Sequence, residues 1–420
     1  MFPKFKRTEK IIYFDHAAAT PLDREVKKAL EPFLSDKFGN PSLLYSKGRE
    51  AKEAVESSRA KIAELIGARP SGIIFTAGGS ESVNLAIFGV MRACLPPACP
   101  VGRAGRESRG KLSHLITSAI EHHCVINSFK ALEGEGHRTT FIDVDGEGFI
   151  NLDKLKKSIR PETILISIMY ANNEVGTIEP IAEIGKWLKA ENEKRKAKNL
   201  PKILFHTDAC QAAGFLDLNV NRLGVDLMSV NGSKIYGPKQ SGFLYVRDGV
   251  KIKPLIYGGG QERNLRSGTE NVPGIVGLAK ALELAQKDRL LENKHLIELR
   301  DYFIKKILTN ISQASLNGPA VSSKDEKRRL PNNINLTFQG VEGEALMLYL
   351  DSYGICIATG SACATEEGDP SHVLLALGKS KKEALSSIRI TLGKQNTKQE
   401  VDWSVGIITA VVKELRKTAK

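Results

Sequence analysis

Between Ile73 and Val246, six short apolar, often β-branched runs alternate with longer amphipathic segments, and this alternation restricts the fold more than any other feature of the chain. The runs are Ile73–Phe75, Leu115–Thr117, Thr163–Met169, Ile203–Phe205, Asp226–Val230 and Gly242–Val246. Strand-length runs separated by helix-length ones are the pattern of βαβ units, so the chain should build a mostly parallel sheet with helices on both faces. Ligands of such sheets bind beyond the carboxyl ends of the strands, and the residues just after each run are therefore where chemistry is expected. After Pro273 the pattern changes to one long helix reaching about Asn310, followed by strands around Asn333–Phe338, Gly354–Ala358 and Ser387–Leu392. That succession predicts a smaller α+β domain. The expected division is a large α/β domain over 16–290, with 1–15 and 291–420 forming the small one. The stretch 92–111, with three prolines, breaks the alternation and reads as an exposed loop.

Composition narrows the setting. With 420 residues, 41% of them hydrophobic, the chain can bury a core without metal or disulfide staples. Its six cysteines, Cys94, Cys99, Cys124, Cys210, Cys356 and Cys363, include no CxxC pair, which argues for a reducing, cytoplasmic setting and against a metal cluster. No run of about 18 apolar residues is present to span a bilayer. The net charge of +13 is spread along helical stretches such as 190–202 and 379–382 and reads as solvated faces, with RNA contact left open.

Four places carry candidate chemistry. After the first run comes Thr76-Ala77-Gly78-Gly79-Ser80-Glu81-Ser82, leading into a helical pattern. Gly79 and Ser80 at a helix start offer N–H groups and a hydroxyl to an anion such as phosphate, although ordinary helix capping would use the same residues. At the exit of the run ending at Phe205 stands Asp208, whose carboxylate needs a positive partner such as a protonated pyridine nitrogen; a helix-capping aspartate is the plain alternative. Lys234 ends a third run within Asn231-Gly232-Ser233-Lys234 and is placed for a desolvated amine able to form a Schiff base, where a lone lysine would more often be a surface charge. Cys363 lies in a small-residue, acidic stretch that reads as a loop, so its thiol is a nucleophile candidate, whereas Cys356 reads as a buried strand residue.

With these motifs the chain resembles the cysteine desulfurases of the class V aminotransferases, fold type I pyridoxal-phosphate enzymes. The resemblance runs from Phe14-Asp15-His16-Ala17 to about Gly393 and takes in Phe38-Gly39-Asn40-Pro41, Glu121-His122, Ala171-Asn172-Asn173-Glu174, Gly258-Gly259-Gly260-Gln261-Glu262, Arg266-Ser267-Gly268-Thr269 and Gly360-Ser361-Ala362-Cys363. It implies a seven-stranded sheet and pyridoxal 5'-phosphate held by Lys234, with Asp208 on the ring nitrogen and His122 stacked on the ring as proton shuttle. Gly79 and Ser80 would bind the phosphate, and Asn173 and Gln211 would touch substrate and the ring oxygen. Arg389 would clamp the substrate carboxylate, and Thr269 would reach the neighbouring subunit of a homodimer. L-Cysteine would become L-alanine with its sulfur on Cys363, destined for an acceptor protein such as an iron–sulfur scaffold or, indirectly, for tRNA modification. Selenocysteine lyase is the alternative within the same fold. The family commonly has His immediately before the cofactor lysine; here Ser233 and Asn231 would take over its phosphate contact.

Overall fold

A computed structural model describes residues 11–94, 112–321, 328–359 and 369–418. The strands in chain order are β1 (Ile12–Tyr13), β2 (Ile73–Thr76), β3 (His114–Ser118), β4 (Arg138–Ile142), β5 (Thr163–Ser167), β6 (Leu204–Asp208) and β7 (Leu227–Asn231). They continue with β8 (Gly242–Val246), β9 (Ala314–Leu316), β10 (Asn333–Phe338), β11 (Ile355–Cys356), β12 (Ala358–Thr359) and β13 (Ser387–Thr391). The large sheet has seven strands in the order β2-β8-β7-β6-β5-β3-β4. The strands from β7 to β4 are parallel, and β8 runs antiparallel to both of its neighbours. Every residue of β2, β3, β5 and β8 is buried, as expected of strands covered on both faces.

Six of the seven strands coincide with the apolar runs. The seventh, β4, is Arg-Thr-Thr-Phe-Ile at the sheet edge, half-exposed along most of its length, and so leaves no apolar run to read. The helix entering 92–111 continues through Cys94, while the rest of that segment lies outside the described residues. A second sheet, β12-β13-β10-β9, and the parallel pair β1-β11 lie beyond the helix Val272–Asn310. That helix begins where Asn271 Oδ1 accepts from Gly274 N and Pro273 occupies the first turn. Its 39 residues, at about 1.5 Å each, span roughly 58 Å. It packs on Ser46–Ile66 along one part and on Lys398–Thr418 along another. One hydrophobic cluster runs from Phe205 and Phe243 through Leu282 and Leu296 to Phe338 and Ile390, so the two sheets share a core. Cys356, read from sequence as buried, is half-buried on a two-residue strand, with its thiol toward Asp351.

The edge strand β2 does most to position the candidate site, because it delivers the Thr76–Ser80 turn. Its outward backbone groups are taken by side chains instead of another strand. Glu262 Oε2 accepts from Phe75 N at 2.8 Å, and Arg59 donates to Ile73 O at 2.8 Å. Arg59 and Glu262 are themselves joined by two bonds of 2.8 and 2.7 Å, both buried, with the guanidinium over the Phe75 ring. Holding Glu262 there requires positive φ at Glu262, Arg263 and Asn264, a run that ordinary residues disfavour. Removing one member of a buried pair strands the other charge at a cost of about 3–5 kcal/mol. Glu262→Ala should therefore lower the unfolding free energy by roughly that amount in a denaturant titration. A loss below about 1 kcal/mol would show that the pair does not hold this edge.

Candidate functional site

The turn after β2 and the start of the helix Gly79–Cys94 form the floor of the site. Gly78 adopts φ +143°, and a Cβ on Gly79 would lie 2.6 Å from Cys210 Sγ, so the backbone there approaches its neighbours as only glycine allows. Capping falls to other residues: Glu81 Oε2 accepts from Ala77 N, and Ser82 Oγ bonds Thr76 Oγ1 and Gly78 O. Ser80 is left outside that arrangement, with its side chain near the Cys124 thiol. First-turn amides have no intrahelical acceptors and carry the positive end of the helix dipole, which suits an anion. Asn231 abuts the same turn, its Nδ2 3.7 Å from where a Gly79 Cβ would stand. Its Oδ1 accepts from Ser233 N and Ser233 Oγ at 3.1 Å each, so Asn231 and Ser233 form one bonded unit beside the turn.

Asp208, at the carboxyl end of β6, is 7% exposed. It does not begin a helix: Oδ1 accepts from Cys210 N, two residues on, in the turn that follows the strand. His122 caps the helix His123–Gly134, with Nδ1 accepting from Cys124 N at 3.2 Å and lying 3.0 Å from Cys124 Sγ. With Nδ1 an acceptor, the neutral imidazole carries its proton on Nε2. Burial lowers the His122 pKa against the pull of Asp208, with His123 and Lys234 adding to the lowering. Lys234 follows β7 and donates to Ala18 O. The residue is half-buried. Gln211 donates to Ala17 O at 3.0 Å.

Arg389, on β13, is buried and donates to Asp15 Oδ1 at 2.8 Å and to the Asn173 carbonyl at 3.4 Å, while its Nε has no partner among the described residues. Asp15 begins the same segment whose Ala17 and Ala18 carbonyls receive Gln211 and Lys234. One stretch of backbone thus ties Arg389 to the floor of the site. Next to Arg389, Glu174 accepts from Ser371 Oγ, and burial raises its pKa to about 7. Thr269 stands apart from these residues, exposed on the loop held by Glu262, where it borders a cavity with Thr76 and Ala77. Cys363 and the rest of 360–368 lie outside the described residues.

Sequence reading missed Glu121 and the thiols of Cys124 and Cys210 as members of the site. Glu121 is fully buried, accepting from Met169 N and Ser118 Oγ at 2.8 Å each, with Oε2 unpartnered among the described residues. Burial raises its pKa to about 8, so it is protonated at neutral pH. The one available signal was its place before His122, in a stretch otherwise apolar or small. Because its folded pKa lies above the unfolded one, the stability it contributes is complete below the ordinary carboxyl range and is lost as pH rises toward about 8. Thermal midpoints of Glu121→Gln and wild type, compared from pH 5 to 9, should move steadily in the variant's favour and then level off. A constant offset across that range would show that Glu121 titrates alike in the folded and unfolded chain.

Residues 12–403 match the model of the aminotransferase class-V family. The chain is 47% identical over 405 residues to a protein of Dictyoglomus turgidum named cysteine desulfurase IscS, covering 96% of this chain and 95% of that one. It is 44% identical over 407 residues to one of the same name from Methanosarcina thermophila, covering 97% of this chain and 93% of that one. Among solved structures it is similar to one titled NifS-like protein, with a TM-score of 0.84 and 35% identity, covering 96% of this chain and 100% of that one. A structure titled SspA in complex with cysteine gives a TM-score of 0.74 and 36% identity, covering 92% of this chain and 100% of that one. The chain belongs to the class V aminotransferase family and, within it, to the cysteine desulfurases.

Proposed function

We propose that this chain takes sulfur from L-cysteine, releases L-alanine and leaves the sulfur on Cys363, with pyridoxal 5'-phosphate held at Lys234. The observation that carries this reading is the meeting of Lys234, Asp208 and His122 at the carboxyl ends of the parallel strands, beside the Gly79–Ser80 turn. The name shared by its relatives, and the cysteine in one related structure, favour cysteine over selenocysteine.

The residues fit that cofactor. The glycine turn leaves first-turn amides for a phosphate, and Asn231 with Ser233 stands where the family's histidine would. The Asp208 carboxylate suits a protonated ring nitrogen. When bound, the pyridoxal ring supplies an electron sink for the bond broken at the substrate's Cα. Lys234, whose amine donates to Ala18 O, is the residue that would hold the ring. His122 would lie against the ring; with Nδ1 engaged its proton sits on Nε2, and its lowered pKa keeps the imidazole neutral, able to hand a proton on and recover it. Arg389 offers its planar fork, with Nε unengaged, to the substrate carboxylate, and Asp15 fixes its orientation. The Cys363 sulfur attacks the substrate sulfur, and the substrate's Cβ–S bond breaks with its electron pair retained on the carbon. A proton then completes alanine and a persulfide remains on Cys363. Cys363 follows Thr359 by four residues, a reach of at most about 14 Å. The described chain before it ends on β12, paired with β13 beside Arg389, and the chain after it resumes near Ser371 on Glu174.

In this reading 16–290 holds the cofactor and the remainder brings Arg389 and Cys363 to it. The apolar side chains of Leu34, Phe38, Leu44, Tyr45 and Tyr257, all exposed, support burial against a second copy, with Thr269 reaching that copy's phosphate. The sulfur would pass to an acceptor protein, such as an iron–sulfur scaffold or a component of tRNA thiolation, in the cytoplasm. Among the described residues no helix is long and apolar enough to cross a membrane.

The purified protein should show the visible absorbance of its cofactor and release alanine and sulfide from cysteine. Lys234→Ala should lose the absorbance band, and Cys363→Ala should keep it while sulfide release falls to background. Wild-type turnover by Cys363→Ala would remove Cys363 from the reaction, and the lack of a band after added pyridoxal phosphate would remove the cofactor. Arg389→Lys, which replaces a planar fork by a point charge, should raise KM about tenfold or more with a smaller change in kcat. An unchanged KM would mean that the carboxylate is held elsewhere.

A further inference from the structure

The end of the sheet opposite the site, where β6 and β7 begin and β8 ends, carries a groove that the reaction does not use. One wall is the helix Ile181–Ala197, whose residues 186, 189 and 196 share a face by helical spacing and are all lysines. The other wall brings Lys202, Arg222 and Arg247 toward them across a volume of about 1140 Å³. Gly185 lets the helix come close at the base, since a Cβ there would lie 2.2 Å from Leu223 O. Six cations face two carboxylates, Glu193 and Asp226, among the lining residues. Asp226 is already matched by Lys202 at 2.7 Å and by Arg247 at 3.8 Å, and Arg222 pairs with Asp217 at 2.6 Å. Lys186, Lys189 and Lys196 have no ion-pair partner within 4 Å among the described residues, and Glu193 is the one carboxylate of the lining on their face of the helix, so that wall keeps an excess of positive charge.

We infer that this groove binds an acidic amphipathic helix of a protein partner. The three lysines span roughly ten residues of helix, about 15 Å, so a helix lying alongside with carboxylates at matching intervals meets all of them. Between the walls the lining includes Ala182 and Leu200, apolar groups that a polypeptide can cover and a sugar–phosphate backbone cannot. No aromatic ring is among the lining residues to stack a base, which removes the usual means of holding single-stranded nucleic acid. Lys202 stands just before β6 and Asp208 at its far end, about 20 Å away at the rise of a strand. A partner seated here therefore leaves the site open, and the inference is independent of the chemistry proposed for that site.

The test uses the full chain and a fluorescent helical peptide of about twenty residues with Glu and Leu at helical spacing, read by anisotropy. The Glu peptide should bind, weaken with added salt, and lose about tenfold or more in affinity to the variant Lys186→Glu/Lys189→Glu/Lys196→Glu. The corresponding triple Ala variant should lie between, with thermal unfolding of both variants close to wild type. Equal affinity for wild type and the charge-reversed variant would overturn the inference, as would equal binding of a peptide with Gln in place of Glu. Tighter binding of a uridine-rich RNA, lost in the same variant, would overturn it in favour of nucleic acid.

Discussion

The buried carboxylate of Asp208 is felt by nearly every titratable group around it. After burial itself, its negative charge is the next influence on the thiols of Cys124 and Cys210, and it acts in the same direction on Glu121, His122 and His206. For the acids, burial and Asp208 work together: Glu121 and both thiols stay protonated. For the histidines they oppose each other and burial prevails, which leaves His206 neutral with its pKa lowered to about 4. Around the floor the carboxyl and thiols nearest Asp208 thus stay uncharged, leaving a negative charge where β6 ends. An environment of that kind suits a ligand that brings a positive charge to that point and a separate anion to the helix start at Gly79.

The position of that charge depends on the sheet, and the sheet on polar groups that the apolar runs conceal. His206 bridges Ser167 on β5 and Ser229 on β7 at 2.8 and 3.0 Å, and His114 bridges Thr163 on β5 and Thr140 on β4 at 2.8 Å each. These bonds hold neighbouring parallel strands in register beneath the site, and they satisfy polar side chains that would otherwise be costly to bury. At the opposite edge Arg59 and Glu262 do for β2 what a further strand would have done, and they fix the turn that carries Gly79.

Much of this was legible in the sequence, for a physical reason. Strands covered on both faces must be apolar throughout, so six of the seven announced themselves, and the residues at their exits included Asp208 and Lys234. What escaped depends on contacts between distant segments. The strand β4 is half-exposed and reads as a polar stretch. The antiparallel direction of β8 leaves no mark on composition, since a strand reads the same either way. Glu262 resembled an ordinary charged residue in a glycine-rich loop, and only the fold brings Arg59 to it across 203 positions.

The segment Asp15–Thr20 shows why so short a piece of chain matters to the whole site. Asp15 meets Arg389 from the second sheet, the Ala17 and Ala18 carbonyls meet Gln211 and Lys234 from the first, and Thr20 N–H reaches the Ser233 carbonyl at 2.9 Å. Arg389 reaches the floor otherwise only through the longer bond to the Asn173 carbonyl. In the proposed reaction Arg389 and Lys234 act on one small amino acid and so must keep a fixed separation, since misplacement by about 1 Å costs on the order of a hundredfold in rate. Bonding both to one strip of backbone sets that separation by peptide geometry, which is stiffer than contact between two packed sheets. Side-chain identity at 17 to 19 is then nearly irrelevant to the link, and alanine, which adds little bulk, is the residue found at all three.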